Sequence, residues 1–224
     1  MNAKEADRVR DREVTPPYAR FLVPLISPFP NFDLLFAKSL RQRAVRRLQL
    51  QPGDRVLDAG CGPGGSFPYL VDAVTRSGAV VGVEISPGMV RSAKQRVQRN
   101  AWTNVDVITS DAKEVELQGT FDALLMFGAP DVYASREALA NLAPYLKSHA
   151  RIVAFGAKLS HRRLAKTFNS SFRFLFSKTK FSSTPKPEYE PWKMLESHVE
   201  ALEVEELFFG WMFMAWGVPP VALR

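Results

Sequence analysis

The spacing of apolar positions divides the chain into alternating helical and extended segments. Over residues 33–48, Leu34, Ala37, Leu40, Ala44, Val45 and Leu48 recur at helical intervals. Lys38, Arg41, Arg43, Arg46 and Arg47 stand between them, which predicts an amphipathic helix. Pro52-Gly53 punctuates the end of that region. Short apolar runs at 55–59, 79–85, 105–109, 121–127 and 151–155 predict buried strands. Helical patterns at 67–77, 87–100 and 135–146 separate them, with Ser86 as a cap and Pro87 at a first helical position. After residue 187 the pattern predicts a helix to about Leu202, then two strands around 205–217, arranged as a hairpin. Strands spaced by helices imply βαβ units, an α/β fold and a mostly parallel sheet. Upstream, residues 14–32 hold Pro16, Pro17, Pro24, Pro28 and Pro30, which excludes a continuous helix. The expected division is a lid with an amphipathic segment over 1–48, and a main domain over 49–224 carrying an insertion at about 157–190.

Composition narrows the chemistry. The 224 residues fit one domain with an attached lid. The single cysteine, Cys61, allows no intrachain disulfide and no multi-thiolate metal site. His149, His161 and His198 show no metal-ligand spacing, so no metal is expected. The opening residues have no apolar h-region, and a cytoplasmic location is the default expectation. Net charge is +7, and its distribution is uneven. From Ala138 to Pro187 there is no Asp or Glu, while seven glutamates fall between Glu188 and Glu206.

The loop after the first strand reads Asp58-Ala59-Gly60-Cys61-Gly62-Pro63-Gly64-Gly65. Glycine lets the chain bend sharply and lets its backbone approach a ligand closely. Glu84 ends the second strand, 20 positions after Gly64, where a carboxylate can accept from both hydroxyls of a ribose. The plainer alternative is a tight turn with Glu84 solvated; the strand–loop–helix setting favours a nucleotide-type ligand. Gly60, Gly62 and Gly65 also fit the dinucleotide pattern. Asp58 speaks against NAD, because a carboxylate at the end of that strand suits a cationic amino group and not a pyrophosphate. Asp111, after the third strand, stands where an adenine amino group can be held, or else caps a loop.

Asp58-x-Gly60-x-Gly62-x-Gly64, Glu84 and Asp111 together resemble the successive motifs of class I S-adenosylmethionine-dependent methyltransferases. The resemblance covers roughly residues 33–156. It implies a Rossmann-like, doubly wound, seven-stranded sheet, mostly parallel, with a C-terminal antiparallel hairpin and helices on both faces. It also implies S-adenosylmethionine as cofactor. The loop 60–64 would lie under the methionine part and Glu84 would hold the ribose. Met89 would meet the adenine face or else belong to a helix core, and Asp111 with Ala112 would meet the adenine edge. Phe127, at the end of the fourth strand, joins this cofactor-binding set.

The acceptor is less constrained. Methyl transfer from a sulfonium is mostly positioning with water excluded, and needs a base only when the acceptor must lose a proton. The loop after the fourth strand, Phe127-Gly128-Ala129-Pro130-Asp131-Val132-Tyr133, lacks the amide or carboxylate followed by Pro-Pro seen in nucleic-acid amine methyltransferases. Asp131 and Tyr133 are the candidate catalytic residues, against a loop-capping Asp and a packed Tyr. Cys61 lies in the cofactor loop, which argues against cytosine-carbon methylation through a cysteine nucleophile. Across residues 160–181, Leu164, Phe168, Phe172 and Leu175 fall on one helical face, interleaved with Arg162, Arg163, Lys166, Arg173, Lys178 and Lys180. Such a segment suits an anionic membrane surface, or else covers the sheet or lines the acceptor pocket. The segment 32–36 also resembles bacterial phospholipid amine and quinone methyltransferases. The expectation is a small or lipid-like acceptor, with a phospholipid head-group amine as its finer form and peripheral membrane association. The alternative is a nucleic-acid-modifying methyltransferase or binder using the basic segment.

Overall fold

A computed structural model describes residues 35–161, 169 and 190–220. The proline-rich segment 14–32 and most of the basic aromatic segment lie outside the described residues. The chain divides at Leu34/Leu35, and the unit Leu35–Arg224 holds all of the described residues.

After helix α1 (Leu35–Leu48) come β1 (Arg55–Ala59), α2 (Phe67–Val74), β2 (Ala79–Glu84), α3 (Pro87–Arg99), β3 (Val105–Thr109) and β4 (Phe121–Phe127). The chain continues through α4 (Pro130–Tyr133), α5 (Arg136–Leu142), β5 (Leu146–Ala157), α6 (Lys193–Glu196), β6 (Glu200–Leu207) and β7 (Met212–Val218). The seven strands form one sheet in the order β3-β2-β1-β4-β5-β7-β6. All neighbours from β3 through β5 pair in parallel, and β7 runs antiparallel to both β5 and β6. Six strands therefore share one direction, and β7 alone opposes it. This is the expected doubly wound α/β sheet with its C-terminal hairpin.

Apolar side chains bury both faces. On one face Leu57, Leu124, Met126, Ile152 and Phe213 pack with Tyr133, Leu139, Leu142 and Leu195. On the other, Val56, Val80, Leu125, Phe127, Val153 and Phe155 pack with Leu40, Ala44, Val45, Leu48, Phe67, Leu70 and Val90. The apolar stripe of helix α1, Leu40, Ala44, Val45 and Leu48, belongs to this second layer. Two of its basic residues fasten it further. Arg43 pairs with Glu205 at 2.5 Å, and the Arg47 guanidinium lies 3.8 Å from the Trp216 ring centroid. The ion pair is about one-third exposed, so such a pair contributes at most about 1 kcal/mol.

Most boundaries follow local signals. Ser135 caps α5 by accepting from the Ala138 N–H at 3.2 Å, and Pro87 opens α3. Two segments depart from expectation. The helix expected to reach Leu202 stops at Glu196, because residues 200–207 instead pair along β7, with Glu203 opposite Trp216 and Leu207 opposite Met212. Tertiary pairing overrides the local helical pattern there. The helix expected over 135–146 ends at Leu142 and passes through a 3-10 turn at Ala143–Tyr145, where Pro144 has no N–H to donate.

Leu124 sits at the middle of β4 and is 1% exposed. Leu124→Ala should lower the free energy of unfolding by about 2–5 kcal/mol, read from the urea midpoint at unchanged slope. A loss below about 1 kcal/mol would show that this layer is not close-packed.

Candidate functional site

The chain order reverses between β1 and β4, and open α/β sheets bind their ligands in the crevice beyond the C-terminal ends of the strands at such a switch point. The loop 60–65 enters it. Gly60, Gly62 and Gly64 all have positive φ, at 75°, 56° and 75°. For the second and third the surroundings differ. A Cβ at Gly64 would stand 2.6 Å from the Phe67 ring, a packing demand; a Cβ at Gly62 would meet nothing within 4 Å. Gly62 is thus a left-handed turn residue facing open space, and glycine adopts that conformation without strain.

Glu84 fixes this loop. Its Oε2 accepts from the Gly62 N–H at 3.0 Å and its Oε1 from the Ser86 N–H at 2.9 Å. One carboxylate therefore joins the turns after β1 and β2, with lone pairs left for further donors. Gly60 and Cys61 both donate to the Val83 carbonyl, at 2.8 and 3.1 Å, which seats the start of the loop against β2. The Cys61 thiol is pushed well above its ordinary value by burial and by the nearby Asp58 and Glu84 charges, so it is no nucleophile.

Asp58 is the anomaly. It is 1% exposed, and among the described residues neither carboxylate oxygen has a hydrogen-bond partner. Burial raises its pKa from 3.8 to about 7; the Arg41 charge opposes the rise and Glu84 adds to it. Buried carboxylates are normally paired.

The other candidates are spread around the same edge. Asp111 follows β3, and its Oδ1 accepts from the Lys113 N–H at 3.0 Å, a loop cap that leaves its other oxygen available. Ala112 is buried, and Met89 is half-buried in the first turn of α3. Phe127 is buried and stacks on Phe155, ring centroids 4.4 Å apart. Tyr133, a candidate catalytic residue, is 2% exposed and sits edge-on to Phe213 at 5.4 Å. Its hydroxyl packs over Gly156, so it lies within the core layer below the crevice, as a packed tyrosine would. Asp131 is exposed on α4. The structure does not bring these two side chains together at one open surface.

Several residues at this edge carry no local sequence signal. Arg41, from α1, donates to Ser66 Oγ at 3.4 Å, and its guanidinium lies 4.4 Å from the Phe127 ring centroid. Ile85, beside Glu84, is 61% exposed. Beyond β5, buried Lys158 pairs with Glu206 and lies 4.8 Å from the Trp192 ring centroid. Ser160 Oγ donates to the Phe209 carbonyl at 2.6 Å and holds the turn joining β6 to β7. In that turn Phe208 and Phe209 are both left-handed and exposed.

Residues 56–149 match the methyltransferase domain family. Aklanonic acid methyltransferase of Streptomyces sp. (strain C5) is 28% identical over 132 residues, 58% of this chain and 59% of that one. Demethylmenaquinone methyltransferase of Bacillus cereus (strain B4264) is 31% identical over 127 residues, 54% and 49% of the two chains. The chain spans about half the length of the curated relatives it matches. A SAM-dependent methyltransferase from Aquifex aeolicus has the same fold, with a TM-score of 0.60, 22% identity, and 79% and 87% of the chains covered. The PH0226 protein of Pyrococcus horikoshii OT3 aligns over 92% and 100% of the chains at 17% identity, with a TM-score of 0.63. Over residues 56–149 the chain is thus similar to methyltransferase domains, and its fold is that of the solved methyltransferase from Aquifex aeolicus.

The Asp58 pKa has a testable sign. An acid whose folded pKa exceeds its unfolded value destabilises the fold as pH rises from about 4 to about 7. Asp58→Asn carries no charge and should gain on the wild type by roughly 2–3 kcal/mol between pH 5 and pH 8 in urea unfolding. Parallel pH profiles would show that Asp58 is already ionised and solvated.

Proposed function

We propose that this protein is a methyltransferase that binds S-adenosylmethionine in the crevice above β1 and β2 and methylates a small, apolar acceptor. The observation that carries the proposal is Asp58, a buried carboxylate whose oxygens accept no hydrogen bond, beside a left-handed glycine loop. A ligand ammonium supplies what it lacks. The rest of the site fits the same ligand. Glu84 keeps lone pairs for ribose hydroxyls, Asp111 keeps an oxygen for an adenine amino group, and exposed Ile85 offers an apolar surface to a flat base.

When bound, the cofactor supplies a methyl group already activated for in-line displacement. The chain then has three tasks. Asp58, Gly62 and Glu84 bind and orient; the buried Phe127–Phe155 stack keeps the floor of the crevice dry; the segments flanking the crevice position the acceptor. Methyl transfer to a nucleophile that is already deprotonated or neutral needs no base. Exposed Asp131, on α4 at the strand ends, is the residue assigned to take a proton when the acceptor must lose one, and Tyr133 supports that loop from beneath.

Aklanonic acid, demethylmenaquinone and (S)-tetrahydroprotoberberine are the acceptors named for relatives of this chain, and all are small molecules. A small apolar acceptor is the common reading. The basic, aromatic sequence of residues 160–181 supports its finer form, a lipid-like acceptor such as a head-group amine met at a membrane surface. Among the described residues no helix is long and apolar enough to cross a membrane.

Calorimetry should show S-adenosylmethionine and S-adenosylhomocysteine binding, with NAD not binding. Glu84→Ala should weaken both by roughly ten- to a hundredfold, since a hydrogen bond to a charged group contributes about 1.5–3 kcal/mol. Binding of NAD alone, or unchanged affinity in folded Glu84→Ala, would reject the site. For the acceptor, sedimentation with anionic against neutral vesicles separates a membrane lipid from a dissolved one. Retention on anionic vesicles that weakens with salt is the result a lipid surface gives.

A further inference from the structure

The two helical layers that cover the sheet differ in charge. Helix α1 packs on β4 and β5, α2 on β1 and β2, and α3 on β2 and β3, so the three lie side by side over one face. Four inter-strand spacings separate β3 from β5, which gives that layer a width of roughly 20 Å. Asp72 is the one carboxylate within these three helices. Lys38 and Arg46 on α1, Arg76 just past α2, and Arg91, Lys94 and Arg99 on α3 are all exposed. Over the opposite face, the loop after β3 with α4, α5 and α6 carries Asp111, Glu114, Glu116, Asp131, Glu137 and Glu196. Lys113, Arg136 and Lys193 offset half of that charge.

Helix dipoles explain part of the basic layer. Arg46, Arg47, Arg96 and Arg99 stand in last turns, where a cation is favoured. Lys38, Arg91 and Lys94 do not, and none of the three helices has an acid in its first turn, where one is favoured. Arg91 and Lys94 are three residues apart on α3, a spacing at which like charges repel. The cations Arg43, Lys147, Lys158 and Lys193 each meet a carboxylate. Among the described residues, no carboxylate pairs with Lys38, Arg91 or Lys94.

We propose that the α1–α3 layer is a docking face for an anionic lipid surface. Acidic head groups supply the charge that this layer lacks across its whole width, and they stabilise each cation beside them until salt screens it. The exposed large apolar side chains among the described residues, Ile85, Val204, Phe208 and Phe209, all lie off these helices. The helices therefore offer no exposed ring for a nucleic-acid base to stack on. They also lie flank to flank against the sheet, so none stands out to enter the groove of a duplex. Helices α2 and α3 start just after the glycine loop and Glu84, which sets docked head groups beside the proposed cofactor crevice. The inference rests on the proposed function and deepens it, by naming the surface through which a lipid-like acceptor is met.

The test is sedimentation of the full chain at low salt with vesicles of phosphatidylglycerol and phosphatidylcholine in equal parts, against phosphatidylcholine alone. The wild type should be retained on the acidic vesicles and released as salt rises. The triple variant Lys38→Gln, Arg91→Gln, Lys94→Gln should lower that partition by roughly a hundredfold, about fivefold for each cation lost. The control triple Lys113→Gln, Arg136→Gln, Lys193→Gln removes the same charge from the opposite layer and should change the partition less than about threefold. All six side chains are exposed, so unchanged urea midpoints are expected of both variants. Equal losses in the two triples reduce the effect to net charge and overturn the docking face. Full retention of the first triple, or no retention of the wild type, overturns it as well. Tighter retention of the wild type on an oligonucleotide at the same salt assigns the layer to nucleic acid instead. S-adenosylhomocysteine affinity by calorimetry keeps the two proposals apart, and should be the same in all three proteins. No binding by the wild type sinks the proposed function, whereas the vesicle results sink the docking face alone.

Discussion

A carboxylate buried at the end of β1 without a hydrogen-bond partner is unfavourable to fold, and the surrounding structure is arranged around it. Leaving a buried polar group unmet costs roughly 1–3 kcal/mol, and more when it is charged. Asp58 tolerates this because its neighbours are rigid. Left-handed glycines turn the loop away from it, Val83 accepts from the first two loop amides, and Glu84 holds Gly62 from the adjoining strand. None of those groups turns to satisfy Asp58, so among the described residues its oxygens stay buried and unmet. The sheet supplies that rigidity: β1 is flanked on both sides by parallel strands and covered on both faces.

Helix α1 links the far edge of the sheet to this centre. Its apolar stripe seals the layer over β4 and β5, while Arg43 and Arg47 reach the terminal hairpin and Arg41 reaches the glycine loop. One helix thus touches both the first turn of the sheet, after β1, and the last strands of the chain. The hairpin is in turn tied to the end of β5 through Lys158 and Ser160. Strain is tolerated there: Phe208 and Phe209, both bulky, adopt left-handed backbone conformations that cost on the order of 1–3 kcal/mol each.

Much of this is legible in the sequence, for definite reasons. Strands β1, β3 and β4 can be read to the residue because buried parallel strands are short, apolar-rich runs, here bounded by Gly, Asp, Asn, Ser or Thr. Asp58, the glycines, Glu84 and Asp111 announce themselves by spacing, since the strand–loop–helix turn repeats its demands locally. The shortness of α6 is hidden because the segment 200–207 obeys its partner β7 and not its own helical tendency. Arg41 is invisible for a related reason. It is one of five similar basic residues on α1, and only the 24-residue jump to Gly65 sets it apart. Tyr133 shows the converse: a residue type suited to catalysis, in a loop at the right edge, whose ring the fold has used to fill the space above Gly156.

The raised pKa of Asp58 gives the end of β1 a group that can hold a proton near neutral pH. Near neutral pH a good share of the empty molecules hold a proton on that carboxylate. Any cation drawn against it favours the ionised form, so capture expels the proton into the surrounding solution. Occupancy is then coupled to acidity: a more alkaline medium tightens the grip and a more acidic one loosens it. The heat of association also carries the ionisation heat of whatever buffer receives the proton. A side chain that accepts no hydrogen bond in the empty fold thereby connects the filling of the site to the bulk solvent.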